Sequence, residues 1–348
     1  MKNCWGLEVV DEFCSRRSIG EMLSRKIAFS SFICACMVVI DHSDGKTVEG
    51  GLAWWIEEFV SNGLCQMAVP FFFVISGFFL AGHVGQGNWW RIEVAKRVKS
   101  LLVPMLLWSA VGIVISMYET SASIFTDWPL MRFATCVGMN PFRMPEVSSL
   151  WYLRALFMLV VISPPLVWCV QRFRWKAIIF WFALSLGLSV VMSKYPSFNN
   201  FVGNFLPLKW GCCWFSMGIL LRGEYLDWLL RKKSTYYGIF MLVGIAIVLA
   251  SKCLLLHADP IAALLQKISI PFCLVGFWGF VPALKLPGFL RGMSFPIYLI
   301  HPTIMHYCRL MGVCYCMRIV SAVMLSIMFA IVAKKSFPAV AKYSFGGR

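Results

Sequence analysis

Long apolar runs recur from about residue 26 to residue 333, each closed by a short polar stretch carrying Lys, Arg, Gly or Pro. The runs are continuous, not alternating, so they lack the two-residue period of half-buried strands. They predict ten helices, at 26–43, 65–83, 100–118, 151–170, 177–193, 209–221, 236–256, 267–285, 294–311 and 317–333. A bilayer core needs about 20 apolar residues per helix, within a range of about 17 to 25. The run at 209–221 is short and is expected to extend backward into "FVGNFLPLK". The predicted fold class is all-α: a polytopic integral membrane bundle of about ten transmembrane helices. Two longer stretches, about 44–64 and 119–150, are expected to be loops on the outer side.

Composition strengthens this reading. Of 348 residues, 59% are hydrophobic and only 14% charged, and the mean hydropathy is +0.74. Soluble domains carry about a quarter charged residues. A water-soluble core of this length could not hide so much apolar side chain. One membrane domain is expected over 25–335, between a polar segment at 1–24 and a basic tail at 336–348. Residues 1–24 have no apolar signal-peptide core, so the first apolar helix is expected to act as the targeting signal. The segment itself reads as short, amphipathic and cytoplasmic.

The formal charge of +16 would suit a nucleic-acid partner, but its distribution does not. With the N-terminus in the cytoplasm, 22 of the 32 Lys and Arg residues fall on cytoplasmic segments. That is the positive-inside pattern, and an even number of helices returns the C-terminus to the same side. The basic excess therefore faces anionic lipid headgroups. A multi-pass location in the inner (plasma) membrane follows, with the lipid bilayer as partner. No basic stretch is interleaved with aromatics, so no nucleic-acid partner is expected. The 14 cysteines include no CxxC pair and no Cys/His spacing that suits zinc. No metal is expected, and the cysteines read as small packing residues. A disulfide among Cys65, Cys136, Cys314 and Cys316 stays open.

Ionisable groups in or beside membrane helices are candidate functional groups. "MVVIDHS" ends the first apolar run with Asp41 and His42. Histidine can stay neutral in lipid and still move a proton near neutral pH. A helix-end cap is the alternative for His42, and a solvated loop acid for Asp41. Ser31 shares a helical face with His42, about 16 Å away along the axis. Ser76–Gly77 suits close helix packing. Arg97 and Lys99 fit either positive-inside anchoring or a grip on phosphates. Trp151 fits an interfacial aromatic belt, and Arg154 shares its face. Tyr298 and His301 face the same way, as a buried polar pair or as site residues, beside a bend at Pro302. His83, His257 and His306 show no partner in the sequence and read as loop or packing residues.

Several of these segments, in order, resemble the acyltransferase 3 family of integral membrane O-acyltransferases. "RKIAFSSFICACMVVIDHS" resembles its first helix, and "VPFFFVISGFFLAG" its second, with Ser76 and Gly77 in place. "KRVKSLLVPMLLWS" is similar to its basic loop and Pro-containing third helix. "SSLWYLRALFMLVVISPPL" resembles its Trp-aromatic-Leu helix. "WGCCWFSMGILL" fits a weaker pattern, and "SFPIYLIHP" its late Tyr-Leu-Ile-His-Pro segment. The resemblance covers residues 25 to 335. One position departs: the family often has Arg eleven residues before its first-helix His, and Ser31 stands there. Arg25 and Lys26 lie about two to three turns too far down.

The resemblance implies transfer of an acyl group, acetyl as the expected case, from acyl-CoA to a hydroxyl of a cell-surface polysaccharide or glycolipid. It implies His42 as catalytic base. Arg97 and Lys99 would hold acetyl-CoA, which is a substrate and not a permanently bound cofactor. Ser76, Trp151, Arg154, Tyr298 and His301 would bind substrate. A transporter or exporter of a glycan or lipid intermediate is the competing class. A membrane protein without catalysis is a third, kept open by Ser31.

Overall fold

A computed structural model describes residues 5–43, 51–120, 150–194, 206–225, 234–255 and 260–347. Among them every regular element is a helix. The helices are α1 (Trp5–Asp41), α2 (Leu52–Val60), α3 (Ala68–Ala81), α4 (Trp89–Arg97), α5 (Val103–Thr120), α6 (Leu150–Val161) and α7 (Ser163–Phe173). Then come α8 (Trp175–Lys194), α9 (Leu206–Glu224), α10 (Ser234–Leu255), α11 (Pro260–Phe280), α12 (Ser294–Leu310), α13 (Tyr315–Ser336) and α14 (Pro338–Ser344).

A helix stands at each of the ten predicted positions. By length and apolar composition, six described spans can cross a membrane, and a bent pair, α6 with α7, makes a seventh. The remaining predicted positions, α8, α9 and α12, fall outside that set. α12, for example, has 17 residues with His301 and Pro302 inside it. The predicted helix at 209–221 does extend backward, to Leu206.

Local chemistry accounts for the departures from straight rods. α6 and α7 meet at 66°, where "ISPP" follows α6. Pro164 has no N–H for the Val160 carbonyl, and the Ser163 hydroxyl donates to that oxygen instead, at 2.7 Å. Pro104 would clash with the carbonyl of Ser100. The chain widens into a π-helical turn at Val98–Leu102 just before it, so α4 and α5 continue as one span, Trp89–Ile115. The predicted helix at 267–285 stops earlier, at Phe280. α1 is continuous across residues 24 and 25. The expected loop at 44–64 holds α2 instead, while most of the loop at 119–150 lies outside the described residues.

Burial follows the helical period. Ile27, Ser30, Cys34, Ala35, Val38 and Val39 form one buried stripe on α1. α3 is buried nearly all round and runs through the centre. It touches α9 backbone to backbone: a Cβ at Gly77 would fall on the Phe215 carbonyl, and one at Gly218 on that of Val74. Gly77 therefore serves packing, as small residues do between membrane helices. Outer helices turn large apolar side chains outward, such as Leu242 on α10 and Val320, Met324 and Phe329 on α13. In water such a surface would aggregate; facing lipid it costs nothing.

α2 is tied down by charge. Lys252 of α10, 4% exposed, pairs with Glu58 at 3.0 Å. Asn62 donates to the other Glu58 oxygen at 2.6 Å, and Gln266 of α11 donates to the Asn62 carbonyl. An unpaired ion here would cost several kcal/mol, so the pair fixes α2 against α10 and α11.

Candidate functional site

The helical ladder of α1 ends at Asp41, and His42 caps it from the side. The His42 Nδ1 lies 2.9 Å from the Val38 carbonyl. A carbonyl only accepts, so Nδ1 carries the proton of this bond and Nε2 is the ring nitrogen outside it. Asp41 Oδ2 stands 3.9 Å from Nδ1, too far for a hydrogen bond. The Gln66 amide donates to the other Asp41 oxygen. His42, Asp41 and Gln66 line a cavity of about 370 Å³, walled by Trp151, Trp210 and Trp214. Lys267 of α11 reaches the same cavity.

A second cavity, of about 310 Å³, opens lower on α1. Ser31, Ser76, Arg97, Tyr152, Ser294 and Tyr298 put polar atoms on its wall. Arg97 is steered by Glu93, one turn earlier on α4, whose carboxylate lies 3.6 Å from the guanidinium. Glu93 is 1% exposed and gathers two further bases, Lys96 at 2.9 Å and His83 at 3.5 Å.

A short file of rings joins the two cavities. The His42 and His301 rings meet edge to face with centroids 5.3 Å apart. Tyr298 follows His301 at 6.1 Å, and Tyr152 follows Tyr298 at 5.5 Å. His301 is wholly buried. Its Nδ1 is 3.0 Å from the Ile297 carbonyl, and its Nε2 has no hydrogen-bond partner among the described residues. A buried polar atom left unpaired costs about 1–3 kcal/mol.

An acyltransferase-domain family model matches residues 32–333. The chain belongs to the acyltransferase 3 family. No curated protein and no solved structure matches it. Family membership makes the protein a membrane acyltransferase.

Of the residues singled out in the sequence, His42 and Trp151 line one cavity, and Ser76, Arg97 and Tyr298 the other, with His301 between. Lys99 is exposed on the π-helical turn and lines neither. Arg154 is buried, also away from both linings. Ser31, where relatives in the acyltransferase 3 family often carry Arg, lines the same cavity as Arg97. Arg25 pairs with Glu21 at 3.2 Å, and the Lys26 ammonium sits 4.7 Å over the Trp278 ring. Neither lines that cavity, whereas Arg97 does. Cys65, Cys314 and Cys316 are free thiols, while Cys136 and His257 lie outside the described residues. The exposed His306 ring packs on Tyr307.

Sequence reasoning missed Lys267, Glu93 and the partner of His83. A signal existed for Lys267: a lysine inside the apolar run "LLQKISIPF" is costly and marks a site by default. Glu93 gave no signal, since an acid among bases on a helix reads as a solvated face.

Proposed function

We propose that the protein moves an acyl group, acetyl in the expected case, from acyl-CoA to a hydroxyl of a cell-surface polysaccharide or glycolipid, with His42 as general base. One observation carries this reading. A histidine with its Nε2 outside the Val38 hydrogen bond stands on one cavity, a cationic cavity lies further down the same helix, and only a few rings separate them. Acceptor and thioester can thus approach from opposite ends.

A sugar hydroxyl is a weak nucleophile at neutral pH. His42 Nε2 takes its proton as the oxygen attacks the thioester carbonyl. The tetrahedral intermediate collapses, the C–S bond breaks, and the CoA thiolate recovers the proton from His42. The products are an O-acyl sugar and CoA-SH. The Val38 carbonyl fixes the tautomer, and Asp41 eases the transient positive charge. Arg97 would hold CoA phosphate through charge-assisted bonds, with Lys99 as a further cation at the cytoplasmic face. Ser76 and Tyr298 would line the path of the acyl arm, and Trp151 the acceptor end.

The test is CoA-thiol release by protein purified into nanodiscs, with acetyl-CoA and a panel of sugar acceptors. His42→Ala should lose transfer by about a hundredfold or more while protein level and membrane insertion hold. A variant that still acylates acceptor at the native rate removes His42 from the chemistry. Accumulation of glycan in sealed vesicles without CoA release favours a carrier instead.

A further inference from the structure

We infer that the His42 cavity selects an acceptor sugar carrying negative charge, a carboxylate or a phosphate, and that Lys267 is the residue that reads it. The inference rests on the transferase reading and names the acceptor class for the same site.

Two lysines are embedded close together here, and they differ. Lys252 is neutralised by Glu58 at 3.0 Å. Lys267 has no carboxylate at ion-pair distance among the described residues. Its ammonium stands 6.0 Å from the centroid of the Trp210 ring, on the wall of a cavity that also holds His42. An ammonium in a membrane span costs several kcal/mol, and one cation–π contact returns about 0.5–2 kcal/mol. The balance is left for an anion that enters the cavity.

Asp41 is the one acid on the same wall, and it is occupied elsewhere. One oxygen takes the Gln66 amide, and the other faces His42 Nδ1 at 3.9 Å. Asp41 attracts the Lys267 ammonium from beyond ion-pair distance, so an incoming anion can still pair with it directly.

The rest of the wall suits a sugar. Trp151, Trp210 and Trp214 line it, and indole faces carry negative potential that attracts the electropositive C–H faces of a pyranose. A volume of about 370 Å³ lies in the small-molecule range of about 300–1,000 Å³. A ring stacked on tryptophan, with an anion on Lys267, would turn a hydroxyl toward His42.

The experiment uses three acceptors with acetyl-CoA and the full chain in nanodiscs: methyl glucoside, methyl glucuronide and glucose 1-phosphate. At least one anionic acceptor should exceed methyl glucoside in kcat/KM by about tenfold or more, and which one does identifies the anion. Lys267→Met should bring that ratio close to one, and Lys267→Arg should keep it. Ligand-induced thermal stabilisation with the same sugars gives a second readout that needs no turnover. It should be larger for the anionic ligand and lose that difference in Lys267→Met. Equal ratios in the native protein overturn the inference. So does a Lys267→Met variant that slows all three acceptors alike, which would put the ammonium on the reacting oxygens. Turnover without charge preference sinks this inference and spares the transferase reading. Charge-dependent stabilisation without CoA release does the reverse, and no charge-dependent stabilisation in the native protein sinks it outright.

Discussion

The two cavities are similar in size, about 310 and 370 Å³, yet they differ in how they hold charge. In the lower cavity the cation is Arg97, steered by Glu93, an acid outside the lining and almost wholly buried. In the upper cavity the cation is Lys267, which rests on a tryptophan face with no described acid at ion-pair distance. The lower wall otherwise joins five hydroxyl-bearing residues, Ser31, Ser76, Tyr152, Ser294 and Tyr298, to apolar side chains such as Phe72 and Phe295. The upper wall joins three indoles and one imidazole to the polar groups of Asp41 and Gln66. A tethered guanidinium among hydroxyls suits a flexible, phosphate-bearing donor. Broad indole faces suit a ring that must lie one way up. If each cavity takes one substrate, as proposed, the contrast teaches how one membrane domain would give each its own chemistry, with His42 and His301 as the shared boundary.

Substitutions at that boundary and on each side test the division. The deepest loss belongs to His42→Ala, which should remove transfer with either substrate at saturation, because His42 is the one imidazole on the upper wall and a carboxylate such as that of Asp41 is ordinarily a weaker base. Arg97→Ala comes next. Loss of charge-assisted bonds worth about 1.5–3 kcal/mol should raise the KM for acyl-CoA by about ten- to a hundredfold and leave the acceptor KM alone. Adding Ser31→Arg to that variant returns a cation to the same cavity and should recover part of the loss. A rise in acceptor KM with Arg97→Ala would mean that the cavities do not divide the substrates.

Much of this was legible in the sequence, and the exceptions share a cause. The ten helix positions followed from continuous apolar runs, the packing role of Gly77 from its place between large residues, and His42 from its place where a helix leaves lipid. The bend at Ile162 was signalled by "SPP" but read through, since the apolar run continues past it. What stayed hidden depends on partners far apart in the chain. Lys252 and Glu58 are 194 positions apart, and no local pattern announces their pairing. Lys267 was visible as a costly charge, but its cavity is built from α1, α6, α9 and the turn before α3. Ser31 stood out as a missing arginine. Only the fold shows that Arg97, from another helix, reaches the same space.

Glu93→Gln offers a finer cut. It keeps the shape and removes the charge that steers Arg97, so the guanidinium stays in place but less firmly. The KM for acyl-CoA should rise by about three- to tenfold, with kcat almost unchanged. An equal fall in kcat with KM constant would show that Arg97 acts on the reacting centre and not on the phosphates.

The smallest effect expected is at Ser76. It lines the lower cavity, while the adjacent Gly77 pins α3 to α9, so Ser76→Ala should remove one hydrogen-bonding group without moving the helix. A neutral hydrogen bond nets about 0.5–1.5 kcal/mol, or about two- to tenfold in acyl-CoA KM. The acceptor constants should not move. A hundredfold fall in kcat from so slight a change would place the thioester carbonyl beside Ser76 and far from His42 Nε2. The chemistry would then belong to the lower cavity, and the upper one would be an entrance and not the seat of proton transfer.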